Sequence, residues 1–206
     1  MLCDVLFGTG LAGIPGEYFS HFHMERLSRS WAASDLESYN RELKRRKTTS
    51  NGVFGFKLHY YQFKDAFAEG DLDAWFPNLH HLFMTRRDHL RQAISLARAT
   101  QTGQWTSRDR RIARPNFNPR QITECLKDIE REESLWEEHF VRMHLNPFRV
   151  VYEDFLDAQG ETVVSILSSM GVHVPDKIRL RPASVGRQSD QLTEEWLERY
   201  RRLDGS

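Results

Sequence analysis

RRDHLRQAISLARATQTGQW, residues 86–105, decides how the rest of the chain is read. An apolar segment, residues 79–85, runs straight into the basic turn Arg86-Arg87-Asp88, and a helix follows from Leu90 to about Ala99. Leu90, Ala93, Ile94 and Ala97 recur at helical spacing and form its packed side. A strand, a basic turn and a helix start, in that order, build an anion site. The first turn of a helix carries unpaired N–H groups and the positive end of the dipole, and neighbouring arginines add charge. Arg86 and Arg87 stand nine and eight residues before Ser95, so one guanidinium and one hydroxyl can converge on a phosphate. Guanidinium suits phosphate because its planar fork donates two hydrogen bonds at once. The spacing by itself also describes a solvated basic turn ahead of a surface helix, which is the commoner arrangement.

The whole chain sets the bounds. Its 206 residues suit one domain with a core large enough for a packed sheet. Twenty-nine basic and 29 acidic residues cancel. That balance argues against a general nucleic-acid or membrane-surface binder, so any phosphate site has to be local. Cys3 and Cys125 are the two cysteines; they have neither metal spacing nor a disulfide framework, which fits a reducing cytoplasm. No run reaches the roughly 18 apolar residues of a membrane span. The first residues lack the basic region of a signal peptide, so a cytoplasmic protein is expected.

From the start, MLCDVLF (residues 1–7) is apolar enough for a buried helix or a strand. GTGLAG, from Gly8 to Gly13, has the form of a dinucleotide-binding turn, but Pro15 and Gly16 follow where that motif should open a helix. The glycines fit better as the end of a first helix. Glu17 lies between a Pro-Gly turn and an aromatic pair. A carboxylate beside aromatic surface can have its pKa raised by desolvation, which suits a general base; a solvated loop acid is the plainer reading. His21 and His23, if in a strand, would share a face, yet no third ligand stands at metal-site spacing and no metal is expected. Ser34-x-x-Glu37 reads as a capping box opening a helix through about Lys47. VFGFKLHYY, residues 53–61, reads as the clearest strand. Lys57 within it is either at a sheet edge or at a polar site, and His59, two residues on, can point the same way.

Further on, Trp105 can stack on a nucleobase or sugar, or serve in the core or a lid. Residues 106–119 resemble a mobile acceptor loop. Asn118 caps a helix with Pro119 at its first position. Its stripe, Ile122, Leu126, Ile129, Trp136 and Phe140, reads as core or dimer interface. FRVVY, residues 148–152, is a short buried strand, followed by Glu153 and Asp154 at its C-terminal end. An amphipathic helix over 161–170, a basic loop over 175–186 and a final helix through Trp196 and Tyr200 complete the chain.

Four stretches carry a resemblance to a known family: TGLAGIPGEYF (9–19), NGVFGFKLHYYQF (51–63), residues 86–105, and GRQSDQLTEEWLERYRR (186–202). In order and across nearly the whole chain, they resemble the bacterial trehalose sulfotransferase family, which includes lipopolysaccharide and nodulation-factor sulfotransferases. The resemblance implies transfer of a sulfuryl group from PAPS (phosphoadenosine phosphosulfate) to a sugar hydroxyl of trehalose, a glycolipid or a similar glycan. It implies Glu17 as the base that takes the hydroxyl proton, with Lys57 near the sulfuryl group and His59 beside it. Arg86, Arg87 and Ser95 would hold the nucleotide's phosphates, with Arg187 and Gln188 on a loop that closes over the nucleotide. A homodimer is implied too. The family has a further strand and an Arg-Ser-Gly-Ser-Thr-Leu-Leu turn ahead of these stretches, whereas the sequence opens on Met1-Leu2-Cys3, where that turn ends. The expectation is therefore a single α/β sulfotransferase domain over 1–206, with a P-loop-like, mostly parallel sheet flanked by helices and lacking its first strand and phosphate-binding turn. Two rivals stand beside it: an inactive remnant that binds phosphoadenosine phosphate or only dimerises, and a dinucleotide enzyme using Gly8 to Gly13.

Overall fold

Two short apolar runs form the sheet. In the computed structural model, which describes residues 1–68, 70, 72–105, 109–175 and 191–204, β1 (Leu82–Thr85) pairs in parallel with β2 (Phe148–Val151), Leu82 opposite Phe148 and Thr85 opposite Val151. Among the described residues these are the two strands, and the remaining elements are helices. Alternation along the strands gives each face its own cover. Leu82, Met84, Phe148 and Val150 pack with Val5 and Leu6 of α1 (Leu2–Thr9), Phe155 of α8 (Tyr152–Asp157), and Val163, Ile166 and Leu167 of α9 (Gln159–Ser169). Phe83 turns the other way and meets Phe140 of α7 (Pro119–Arg142) at 5.2 Å between ring centroids.

Parallel strands need a long crossover. Here α6 (His89–Thr102) and α7 supply it, packed along one another. Asp88 caps α6, and Gly103, with φ of 66°, ends it. Asn118 accepts a hydrogen bond from the Gln121 N–H and Pro119 takes the first turn of α7, as the sequence predicts. Ala93, Ile94 and Ala97 pack on Ile122 and Cys125, and α10 (Gln191–Asp204) closes this core with Trp196, Leu197 and Tyr200. A third core is aromatic. Phe19, ahead of α2 (His21–Trp31), joins Tyr39 and Leu43 of α3 (Leu36–Lys47), Phe63 and Phe67 of α4 (Tyr60–Phe67), and Phe76 beyond α5 (Leu72–Trp75). Trp136 of α7 stacks on Phe63 at 5.3 Å. The fold is thus a helix-rich α/β arrangement around a small parallel sheet.

Several expectations change. Residues 53–59 run extended but form no strand. Phe54, Phe56 and Leu58 still face the aromatic core. The neighbouring stretch, residues 12–16, offers one backbone bond, from the Lys57 N–H to the Gly16 carbonyl at 2.8 Å, and Pro15 has no N–H to extend a ladder. Tyr60 and Tyr61 then turn into α4, with Gln62 accepting from the His59 N–H at 3.1 Å. His21 and His23 lie on α2 rather than in a strand; Ser20 caps that helix and hydrogen-bonds the His23 ring. The helix expected from Ser34 is instead capped by Asp35, in a reciprocal box with Ser38. Residues 1–7 resolve as α1, which contains Gly8 and is closed by Gly10. No helix opens after Gly13 and a helix, not a strand, precedes Gly8. That geometry overturns the dinucleotide-turn alternative.

Gly13 has a different task. Its φ is +75°, and a Cβ there would lie 2.6 Å from the Gly55 nitrogen; a Cβ on Gly55 would lie 2.7 Å from the Ala12 carbonyl oxygen. Two backbones touch at a point where side chains do not fit. Gly52 shares the left-handed φ, at +83°, but has open space around it. Gly13→Ala is therefore expected to lower the urea midpoint more than Gly52→Ala, which carries only the backbone penalty of about 1 kcal/mol. Equal midpoints would contradict the close-packing role.

Candidate active site

The contact of residues 12–16 with 54–57 brings Glu17 opposite Lys57. Alternation along the extended stretch points Phe54 and Phe56 into the core and leaves Lys57 and His59 on the Glu17 side. Lys57 Nζ donates to Glu17 Oε2 at 2.9 Å, and Gln62 Nε2 donates to Glu17 Oε1 at 2.7 Å. Both carboxylate oxygens are held. His59 Nε2 lies 3.8 Å from Glu17 Oε2, and its Nδ1 lies 3.4 Å from Glu132 Oε2 of α7. The Glu17 side chain is 31% exposed. Its electrostatics differ from the sequence expectation. Burial does push the carboxyl upward, and is the largest single influence. The Lys57 charge and hydrogen bond, the His59 charge and the Gln62 hydrogen bond together outweigh it, and the carboxyl sits below the ordinary glutamate value. Glu17 is therefore ionised at neutral pH, and the contacts that keep it so also weaken it as a base; its proton affinity rises when Lys57 turns to balance charge on an incoming anion.

The basic turn leaves the C-terminal end of β1 and meets the C-terminal end of β2. Arg86 lays its guanidinium over the Tyr152 ring, 3.7 Å from the centroid. Arg87 forks onto Asp154 with bonds of 2.8 and 2.5 Å, and its backbone N–H donates to Glu153 at 3.1 Å. Asp88 occupies the helix cap, accepting from the Arg91 N–H at 2.8 Å. The helix start thus already holds carboxylates of the protein. Asp88 takes one of the first-turn amides of α6, that of Arg91, while Glu153 takes the Arg87 amide just ahead of the helix. Ser95 sits on α6, partly buried, about 10 Å along the axis from the cap at the helical rise. Arg187 and Gln188 lie outside the described residues. Arg91 and Arg98, on the same helix, grip α10 instead, through Glu194 and Thr193.

One helix joins the two halves. On α7, Glu132 reaches His59, the adjacent Glu133 pairs with His89 at 2.9 Å at the start of α6, and Glu137 pairs with Arg149 of β2. The carboxylate–lysine pair and the basic turn therefore flank the same turn of α7. Glu17, Lys57 and His59 come together; Arg86 and Arg87 form a second group; among the described residues Ser95 is hydrogen-bonded to neither. Gln62, Tyr61 and Glu132 escaped the sequence reading. Gln62 was visible as a residue three past His59, where a cap partner belongs, but only under a helical reading of 60–67. Among the described residues no group of three or more side chains has the makings of a metal site, and no described helix is long and apolar enough to cross a membrane.

Fold and site thus define an α/β protein with arginines at the ends of parallel strands and an anchored, ionised carboxylate beside a lysine. Residues 1–203 match the family model described as Stf0 sulphotransferase, and the chain belongs to that family. It is 28% identical over 246 residues to the trehalose 2-sulfotransferase of Mycolicibacterium smegmatis (strain ATCC 700084 / mc(2)155), covering 98% of this chain and 90% of the relative. It is 23% identical over 244 residues to the trehalose 2-sulfotransferase of Mycobacterium tuberculosis (strain ATCC 35801 / TMC 107 / Erdman), covering 98% and 89%.

The Lys57 pair has a measurable consequence. Glu17's lowered pKa adds stability that is present above the unfolded value, near pH 4.3, and is lost as pH falls through the lower folded value. Lys57→Met removes the two largest lowering influences, so the Glu17 carboxyl should titrate higher than in the wild type in a carbon-detected NMR titration. A Glu17 titration unmoved by that substitution would contradict the pairing.

Proposed function

We propose that this chain is a PAPS-dependent carbohydrate sulfotransferase. The observation that carries the reading is the Glu17 carboxylate, bonded through both oxygens to Lys57 and Gln62 and ionised at neutral pH. Glu17 takes the proton of the attacking sugar hydroxyl. The sugar oxygen forms a bond to sulfur as the bond from sulfur to the bridging phosphate oxygen breaks. Adenosine 3′,5′-bisphosphate leaves with that electron pair. Lys57 faces the transferring group and balances its charge, and His59 supports the same corner. In-line transfer of this kind depends mainly on positioning and charge neutralisation, as in phosphoryl transfer.

Arg86 and Arg87 take the nucleotide's phosphates, with Ser95, Arg187 and Gln188 assigned to the same donor. Their chemistry fits an anionic donor: two guanidiniums leave β1 at the strand end where open α/β sheets bind ligands. Arg87 exchanges Asp154 for phosphate, and both groups suit its fork. Under this reading β1 and β2 are part of a P-loop-like parallel sheet. The acceptor is a sugar hydroxyl of trehalose, a glycolipid or a similar glycan, the protein acts in the cytoplasm, and the functional unit is a homodimer.

The test is mass-spectrometric detection of sulfated sugar after incubation with PAPS and trehalose or a glycan panel. Glu17→Gln keeps the shape of the site but removes the base, and should cut the rate by about 10²–10⁴-fold. Transfer by Glu17→Gln at the wild-type rate would overturn the assignment.

A further inference from the structure

We propose that Tyr61 and Glu132 form the acceptor-sugar subsite beside Glu17, shaped for a neutral pyranose. The inference rests on the sulfuryl-transfer reading above and names the part of the site that would hold the acceptor. Tyr61 is an aromatic residue left 46% exposed at the edge of the polar cluster. Its ring lies nearly parallel to the His59 imidazole, 5.8 Å between centroids and 14° between planes. Its hydroxyl accepts from Gln62 Nε2 at 3.0 Å, and the same nitrogen donates to Glu17 at 2.7 Å. The Tyr61 ring is therefore one amide away from the proposed base. Its phenol is pushed up by burial first, and by the nearby charges of Glu17, Glu132 and Asp65.

Glu132 fixes the other side. Its Oε1 accepts from the Tyr61 N–H at 3.4 Å and its Oε2 lies 3.4 Å from His59 Nδ1. The side chain remains 32% exposed. A pyranose offers an apolar C–H face and a rim of hydroxyls. An exposed tyrosine ring backed by a second flat ring takes the former, and carboxylate oxygens, which only accept, take the latter. The charge balance selects against acids. Among the described residues, Glu17 and Glu132 face this corner with Lys57 as the one permanently charged cation in contact with Glu17, so an anionic sugar meets net repulsion where a neutral one does not. His59 stacks on Tyr61 and stands between the two carboxylates, which makes it the support of the platform as well as a neighbour of the base.

Saturation-transfer NMR on the whole chain, with adenosine 3′,5′-bisphosphate present and trehalose as probe, tests the subsite. Wild type should transfer magnetisation to trehalose ring protons. Tyr61→Phe should retain the signal, and Tyr61→Ala should reduce it about tenfold, the factor expected of a lost contact of ordinary size. Glu132→Gln should let glucuronate compete with trehalose, which wild type resists. Bisphosphate affinity, read by calorimetry, should be unchanged in all three variants, and their amide spectra should remain those of a folded chain. A Tyr61→Ala signal equal to wild type, or no signal from wild type, would overturn the subsite. If the bisphosphate binds in that case, the sulfotransferase reading stands without it. If the bisphosphate does not bind but a Tyr61-dependent sugar signal persists, the donor reading fails and the sugar site survives.

Discussion

The structure hangs on the 24-residue helix α7. Its apolar side enters two of the three cores and covers the sheet face turned away from the other: Ile122 and Cys125 meet α6 and α10, Trp136 stacks in the aromatic cluster, and Phe140 packs on Phe83 of β1. Carboxylates on its polar side reach three different parts of the chain, the rings of His59 and His89 and the guanidinium of Arg149. A helix of this length holds its faces in fixed register over its whole span. The distance between the Glu17 corner and the basic turn is therefore set by one rigid element rather than by the loops that carry them. Precision of that kind matters where chemistry depends on alignment.

Charge is arranged on the same plan. The charged groups of both corners are each held by a partner within the chain. Lys57 holds Glu17 ionised, Asp154 and Glu153 hold the Arg87 side chain and backbone, and Asp88 fills the helix cap. The Arg87–Asp154 pair is largely exposed, and exposed pairs of this type contribute little to stability. Under the proposed reading such a pair gives way to a phosphate, which suits the same guanidinium fork with more charge.

The cores were readable because apolar spacing dominates them. Ala93, Ile94 and Ala97, and the stripe from Ile122 to Phe140, appear in the sequence as they do in the fold, and so does the Asn118-Pro119 helix start. The misreadings share a cause. In residues 53–61 the two-residue alternation is real, but strand formation also requires a partner with free amides, and Pro15 and the glycine contact at 13 and 55 deny it one. The pairing of Arg87 with Glu153 and Asp154 was not legible because those acids lie more than sixty residues away in sequence. Glu17, Lys57 and His59 were singled out through the resemblance, yet the lowered Glu17 pKa comes from the distances of Lys57, His59 and Gln62 to its carboxylate, which no sequence displays. Glu132 stood in a run of glutamates with nothing to single it out.

The central claim is that the arginines beyond β1 are the nucleotide-binding half of a sulfuryl-transfer site. Isothermal titration of adenosine 3′,5′-bisphosphate into the chain, and into Arg86→Ala and Arg87→Ala, tests it most directly. The account predicts saturable binding to wild type that weakens about tenfold or more in each variant. A folded chain that takes up no bisphosphate, or binds it equally well without either guanidinium, would contradict it.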